Sequence, residues 1–158
     1  MQLLCDEMLK GLSRWLRAAG HDTEIATDGE SDRALIVRAK ASGRLLLTRD
    51  RKLLEHRAAQ QSVCLLDCNT LDDCAQAMSA TIGIDWLYKP FSLCLICNTP
   101  LLPLKSDSKP SVPDDVKYGP LLHCPQCGRV YWEGGHVKRM RKKLQQWAQK
   151  ADSNNTSG

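Results

Sequence analysis

The sequence predicts an α/β fold in which a parallel sheet, covered by helices on both faces, precedes a small zinc ribbon and a basic helix. Short apolar segments alternate with helical patterns over residues 1–90, and four later cysteines form two Cys-x-x-Cys pairs. Such alternation is typical of parallel sheets with both faces covered. We therefore expect a sheet domain over residues 1–90, a ribbon over 91–134, a basic helix over 135–150 and a disordered tail over 151–158.

Hydrophobic spacing predicts the strands and the first helix. Apolar runs indicate strands over residues 2–5, 23–26, 44–48 and 62–66. Leu9, Leu12 and Leu16 recur at three- and four-residue intervals, which predicts an amphipathic helix over residues 8–19. Gly20 follows this pattern and is a typical helix stop.

Capping residues predict where the next helices begin and end. Ser31 and Gly43 suit the two ends of one helix, because serine accepts from backbone amides and glycine tolerates left-handed backbone. Thr70 and Asp73 form a capping-box pattern, with Asp in place of Glu, for a helix to about residue 82. A helical pattern also covers residues 51–59.

The two Cys-x-x-Cys pairs predict a structural zinc site. Each pair places two thiolates on one tight turn, and two turns supply the four sulfur ligands of a tetrahedral ion. Asn98 and Gly128 follow the pairs and can adopt the positive φ that the turns require. The 26 intervening residues exceed the usual spacing, so we expect an exposed loop over residues 105–119. Two disulfides or free thiols are the alternative for the four predicted ligands, Cys94, Cys97, Cys124 and Cys127.

The remaining cysteines are interpreted as buried thiols in a reducing compartment. The first residues lack the basic and apolar regions of a signal peptide, and no segment has the roughly 18 apolar residues of a membrane span. These features predict a cytoplasmic protein with no membrane partner, and the nucleus is the alternative location. Thiols stay reduced in both compartments. These cysteines are Cys5, Cys64, Cys68 and Cys74, and the last three could instead form a second metal site.

Acidic residues follow the predicted strands and indicate a second metal site. Asp6 follows the first strand, and Asp50 lies two residues beyond the third. Because adjacent parallel strands lie about 5 Å apart, carboxylates at their ends can share one divalent ion. Asp32, in the first turn of the second helix, is a further candidate ligand, and Glu7 is a candidate supporting acid that could instead be merely solvated. Oxygen ligands suit Mg²⁺ or Mn²⁺, which can promote phosphodiester hydrolysis. Helix capping is the alternative role.

The distribution of basic residues suggests a polyanionic partner. Residues 1–90 contain 12 Lys and Arg against 13 Asp and Glu, whereas residues 91–158 contain 10 against 5. Guanidinium groups near the acids suit substrate phosphates, with salt bridges as the alternative. For the C-terminal helix, a docked amphipathic helix or a nuclear-import signal are the alternatives to RNA contact. The predicted substrate-binding residues are Arg14, Arg17, Arg49, Arg51, Lys138, Arg139, Arg141, Lys142 and Lys143.

Several motifs occur in an order and spacing that resemble one protein family. The resemblance, over roughly residues 2–140, is to the RNase domain named after the carboxy-terminal part of the mut-seven exonuclease. The motifs are Asp6-Glu-Met-Leu-Lys-Gly-Leu-Ser-Arg-Trp-Leu-Arg17, Gly20-His-Asp-Thr23, Gly43-Arg-Leu-Leu-Leu-Thr-Arg-Asp-Arg51, the two cysteine pairs and Gly128-Arg-Val-Tyr-Trp-Glu-Gly134.

The resemblance implies a PIN-like nuclease fold joined to a zinc ribbon, and metal-dependent hydrolysis of RNA. It implies Asp6 and Asp50 as metal ligands, Asp32 as the third acid, and products with 5′-phosphate and 3′-hydroxyl ends. The chain departs from the family pattern at the start of the second helix. The family often has paired acids there, whereas here Asp32 stands beside Ser31.

Two other functions fit parts of the sequence. A phosphoacceptor receiver domain also carries an acidic pair after its first strand, an Asp after its third and a Lys-Pro dipeptide such as Lys89-Pro90. However, the fourth strand here ends in Asp67, where a receiver requires Ser or Thr. A non-catalytic adaptor that binds RNA through the ribbon and the basic helix is the second alternative. The intact acidic residues favour the enzyme.

Overall fold

A four-stranded parallel sheet organises the first half of the chain. The computed structural model describes residues 1–59, 61–105 and 120–156. The strand order is β2-β1-β3-β4, with β1 Gln2–Cys5, β2 Asp22–Ile25, β3 Leu45–Thr48 and β4 Val63–Leu65. The helices that connect or follow these strands are α1 Lys10–Ala18, α2 Asp32–Ser42 and α3 Leu71–Ile82.

Helices cover both faces of this sheet, as the sequence predicts. Successive strand residues point to opposite faces. Leu3 and Leu47 therefore belong to a larger core, together with residues of α1 and α3. Leu4 and Leu46 belong to a second core that includes residues of α2.

The strand order brings β1 and β3 side by side. Leu3, Leu4 and Cys5 pair with Leu45, Leu46 and Leu47. The chain passes from β1 to β2 on one side and returns to β3 on the other, so the topology reverses between β1 and β3. In parallel sheets of this kind, ligands bind beyond the carboxyl ends of the strands at the reversal.

The predicted caps are confirmed. The Ser31 hydroxyl accepts from the amide of Ala34 at 3.1 Å, and Gly43 ends α2 with a φ of 67°. Thr70 and Asp73 form the reciprocal capping box at the start of α3.

The helix predicted over residues 51–59 is wrong in type. The chain forms two short 3-10 helices there, Arg51–Glu55 and Arg57–Ala59, and His56 between them is extended. Two cations, Arg51 and Lys52, occupy the first turn, where the positive end of the helix dipole disfavours them. The segment gains little from continuing as an α-helix.

Residues 91–105 and 120–134, here called the cysteine module, carry a three-stranded antiparallel sheet. Its order is β5-β6-β7, with β5 Leu102–Pro103, β6 Leu122–His123 and β7 Val130–Tyr131. The positive φ predicted for Asn98 and Gly128 is confirmed, at 65° and 77°. The exposed loop predicted over residues 105–119 lies outside the described residues from position 106 onward.

The C-terminal helix, α4 Gly135–Thr156, is part of the larger core. Trp147 lies 5.0 Å from Trp15 and 4.8 Å from Trp86 between ring centroids. Its indole nitrogen donates to the Asp72 carboxylate at 2.8 Å. Met140 and Leu144 are buried on the same face. The helix is therefore docked, which was the alternative to a free RNA-binding helix.

The disordered tail predicted from residue 151 is wrong for residues 151–156, because α4 extends to Thr156. Hydroxyl side chains in this last stretch donate hydrogen bonds to backbone carbonyls one turn earlier in the helix. The Ser153 hydroxyl donates to the carbonyl of Gln149 at 3.0 Å, and the Thr156 hydroxyl donates to that of Asp152 at 3.2 Å. These bonds give the two hydroxyl groups acceptors within the helix.

The interpretation of all four remaining cysteines as free thiols, or of three as a metal site, is also wrong. Cys68 and Cys74 form a disulfide, with a Cα–Cα distance of 4.9 Å. The short turn between β4 and α3 brings them together, and this distance suits a disulfide. Cys5 and Cys64 are buried free thiols, as predicted, and burial raises the pKa of both.

The helices in the described part of the chain were also compared with the requirements of a membrane span. None is both long enough and apolar enough to cross a bilayer.

Candidate functional site

Asp6 lies at the end of β1 and is held from both sides. One carboxylate oxygen accepts from the amide of Leu9 at 3.2 Å, which caps the 3-10 helix Glu7–Leu9. The other accepts from the hydroxyl of Thr48, the last residue of β3. Asp6 is only 6% exposed. The carboxylate is thus rigidly placed between two adjacent strand ends.

Thr48 joins the two aspartates that the sequence singles out. Its hydroxyl donates to Asp6 and accepts from the backbone amide of Asp50 at 3.0 Å. The Asp50 carboxylate in turn accepts from the amide of Lys52 at 3.0 Å and caps the following 3-10 helix. The capping role considered for both aspartates is therefore present. Sequence reasoning missed Thr48, whose only signal was a hydroxyl at the end of an otherwise apolar strand.

The other predicted acids reach the same edge of the sheet through the topology. Asp32 is the first residue of α2, which begins after the carboxyl end of β2, and it is half-buried. Glu7 is exposed beside Asp6, and Asp67 is exposed shortly after β4. These acids do not form a tight cluster. Among the described residues, the four paired cysteines are the one group of at least three potential ligands within metal-binding distance.

Two of the predicted arginines lie at this edge. Arg49 and Arg51 line a cleft of about 80 Å³ together with Asp67 and Asn69. The Arg49 guanidinium donates to the Asn69 side chain at 3.4 Å, and Arg51 is exposed. Both guanidinium groups are accessible to a phosphate that approaches the ends of β3 and β4.

Arg17 has a different role from the one predicted. Its guanidinium is buried and donates to the carbonyls of Thr23, Leu95 and Ile96 at 2.9–3.0 Å. These bonds join α1 to β2 and to the first cysteine pair. Arg17 therefore holds the cysteine module against the sheet. Its prediction as a substrate-binding residue is wrong. Arg14 lines a separate pocket beside the module.

The five cations predicted to bind RNA from α4 fall into two groups. Arg141 pairs with Glu133 and lies 4.8 Å from the Phe91 ring, and Lys143 pairs with Asp72 at 2.8 Å. These two cations help to dock the helix. The exposed members of the set are Lys138, Arg139 and Lys142.

The four paired cysteines have the geometry of a zinc site. Their sulfur atoms all lie within 4.8 Å of one another, and those of Cys94 and Cys127 are 3.8 Å apart. Four sulfurs placed about 2.3 Å from a central zinc ion in a tetrahedron would lie about 3.8 Å apart. The amides of Cys97 and Cys127 point at the sulfurs of Cys94 and Cys124, at 3.4 and 3.5 Å. The cluster could therefore bind zinc.

Hydrogen bonds favour the thiolate form of Cys94. Burial by itself would raise its pKa. The Tyr131 hydroxyl, 3.1 Å from the sulfur, and the amides of Ile96 and Cys97 outweigh burial and lower the pKa to about 7. The thiolate is the form that binds metal.

The sequence was also compared with known proteins. A family model described as the Mut7-C RNAse domain matches residues 1–144, which includes the strand-end aspartates, both cysteine pairs and the first half of α4. No curated protein and no solved structure matches the chain.

Proposed function

Because the chain belongs to the Mut7-C RNAse domain family, we propose that it is a metal-dependent ribonuclease acting at the carboxyl edge of its parallel, PIN-like sheet. One observation carries this proposal. Asp6 and Asp50 follow two adjacent parallel strands and are connected through the Thr48 hydroxyl. Carboxylates so placed, at a reversal of strand order, suit a substrate that binds beyond the strand ends.

Asp6 and Asp50 would hold Mg²⁺ or Mn²⁺, with Asp32 as the third acid. The wide spacing of the acids is compatible with this, because Mg²⁺ commonly binds one or two carboxylates and keeps water or substrate phosphate in its other positions. An ion held here would supply positive charge that favours ionisation of water and stabilises the leaving oxygen.

The chain's own residues would orient the reaction. Arg49 and Arg51 would bind the RNA phosphates from the neighbouring cleft, and Thr48 would keep the Asp6 carboxylate in place. Glu7, exposed beside Asp6, would support the charge of the site. Attack of water on phosphorus with departure of the 3′ oxygen leaves a 5′-phosphate and a 3′-hydroxyl.

The test is cleavage of labelled single-stranded RNA by the purified full chain, with and without Mn²⁺. Asp6→Asn and Asp50→Asn should each abolish Mn²⁺-dependent cleavage, because the amide cannot supply the negative charge that holds the ion. The products of the wild-type protein should carry 5′-phosphate ends. A contaminating metal-independent ribonuclease would instead leave 2′,3′-cyclic phosphates.

Asp85→Asn is the matched control. Asp85 is exposed, and its carbonyl lies 2.7 Å from the His21 ring, next to the start of β2 at the opposite edge of the sheet. An Asn there can still accept from the amide of Leu87, as Asp85 does now at 3.0 Å. This variant should cleave at the wild-type rate. Wild-type cleavage by either Asp6→Asn or Asp50→Asn would place the reaction elsewhere.

A non-catalytic RNA-binding adaptor is the second candidate. The observation in its favour is that both Asp6 oxygens already accept hydrogen bonds from the protein. An adaptor would bind RNA without cleaving it, and neither Asn substitution would weaken that binding. The same variants therefore separate the two functions when binding and cleavage are both measured.

A further inference from the structure

A second pocket lies between α1, the cysteine module and the beginning of α4. Its volume is about 310 Å³. Pockets that take small ligands span about 300–1,000 Å³, so this one suits a single small molecule or a single unit of a polymer. The lining residues used below are Arg14, Ile96, Arg129, Trp132, Gly134 and His136.

The pocket has a positive lining. Arg14 and Arg129 both line it, and no carboxylate is among its lining residues in the described part of the chain. The Arg14 guanidinium lies 3.1 Å from the His136 ring, and Arg129 makes no ion pair with the described residues. Two guanidinium groups that line one pocket favour an anionic ligand such as a phosphate.

The pocket also offers a flat apolar surface. Ile96 is 53% exposed, and the Trp132 indole forms part of the wall. Gly134 lies close to the edge of this indole, because a Cβ at Gly134 would come within 2.7 Å of the indole nitrogen. The other three tryptophans form a separate cluster around Trp147. A planar, partly apolar group can therefore pack against the Trp132 indole and Ile96.

We propose that this pocket binds one unpaired nucleotide of an RNA strand, with the base against Trp132 and Ile96 and the phosphate between Arg14 and Arg129. RNA-binding proteins commonly stack unpaired bases on aromatic side chains, and arginines hold the adjoining phosphates. The proposal rests on the proposed function, since it takes RNA to be the substrate. In this proposal the pocket selects single-stranded RNA, because a base paired within a duplex could not occupy it.

The test measures binding separately from cleavage. The full chain carrying Asp6→Asn, without added Mg²⁺ or Mn²⁺, is titrated into a fluorescently labelled short oligoadenylate, and anisotropy gives the affinity. Trp132→Ala should weaken binding about tenfold or more, the loss expected for one stacked base. Trp132→Phe should retain most of it. Arg129→Gln should weaken binding and flatten its salt dependence by about 0.7 in slope.

Two glycines provide a matched pair. Gly134→Ala should weaken binding, because the new methyl group must displace the Trp132 ring. At Gly11, in α1 and outside the pocket lining, a new methyl group would meet nothing within 4 Å. Gly11→Ala should therefore bind as the parent does. Zinc content and thermal midpoint, measured for every variant, identify any that fail to fold.

Competitors test the chemical class of the ligand. Adenosine monophosphate should displace the oligonucleotide, whereas inorganic phosphate at the same concentration should not. Equal displacement by phosphate, or stronger displacement by an acidic peptide, would overturn the assignment to a nucleotide. Unchanged affinity in both Trp132→Ala and Arg129→Gln would also overturn it, even if the wild-type protein cleaves RNA. Binding as predicted without any wild-type cleavage would instead contradict the proposed catalytic function.

Discussion

At the scale of single residues, Thr48 explains how the two strand-end aspartates are organised. Its side chain is fully buried, and its hydroxyl both donates to Asp6 and accepts from the amide of Asp50. A hydroxyl is the one small group that can do both at once. Thr48 is therefore a positioning residue in the proposed mechanism, and it acts through Asp6 and Asp50.

Thr48→Val tests this role, because valine has nearly the same shape and lacks the hydroxyl. We expect cleavage to fall by about 10–100-fold, as for other residues that orient metal ligands. More Mn²⁺ should be needed for half-maximal activity. Thr48→Ser should restore both values, since it keeps the hydroxyl. If Thr48→Val keeps the wild-type rate and Mn²⁺ requirement, Thr48 has a structural role alone.

At the scale of elements, α4 combines a docked face with an exposed one. Met140, Leu144 and Trp147 are buried in the larger core, while Lys138, Arg139 and Lys142 are exposed. A truncation at Gly135 would remove core residues as well as charges. Substitution of the exposed cations separates the two effects.

Replacing Lys138, Arg139 and Lys142 together with Gln should weaken RNA binding at low salt. If all three cations contact phosphates, the slope of affinity against salt should become shallower by about 2, or about 0.7 for each contact. The thermal midpoint should change little, because these side chains are exposed. Trp147→Ala should instead lower the free energy of unfolding by about 3–5 kcal/mol.

The control is the same change at three exposed cations elsewhere, Arg33, Lys40 and Arg57. It removes equal charge from the molecule and should have a smaller effect on RNA affinity. Equal effects from the two triple variants would mean that net charge, and not the face of α4, determines binding.

At the scale of the whole molecule, one core joins the sheet, the cysteine module and α4. Phe91 and Leu95 of the module belong to the same buried cluster as Leu3 of β1 and Leu144 of α4. Polar contacts reinforce this continuity, because the Asn98 side chain accepts from the amide of Thr23 at 2.9 Å. Disruption of the four-cysteine site should therefore also destabilise the parallel sheet.

Zinc removal tests this coupling. We expect one tightly bound zinc per chain, and Cys94→Ser or Cys124→Ser should release it because structural zinc binding is coupled to folding. Both variants should also unfold at a lower temperature, as followed by circular dichroism of the whole chain. Cys64→Ala, which changes a buried free thiol of β4, should keep its zinc. Full zinc content in both serine variants would refute the site.

Much of the local structure followed from the sequence alone. The four strands, the ends of α2 and α3 and the turns after the cysteine pairs depend on short-range effects. These effects are side-chain alternation, caps such as Ser31 and Thr70, and the left-handed backbone of Asn98 and Gly128. From the sequence we assumed that β1 and β3 are adjacent, and this is correct. Parallel strands with short crossovers have few available arrangements.

The tertiary structure decided what depends on contacts between distant residues. A guanidinium on α1 can serve a phosphate or a backbone carbonyl, and only packing of the cysteine module against the sheet assigned Arg17 to carbonyls. In the same way, packing against Trp15 and Trp86 made α4 a core helix. The pocket beside Trp132 has no sequence signal, because it forms where three separate elements meet. Spacing along the chain records local geometry, whereas these features depend on which surfaces are buried together.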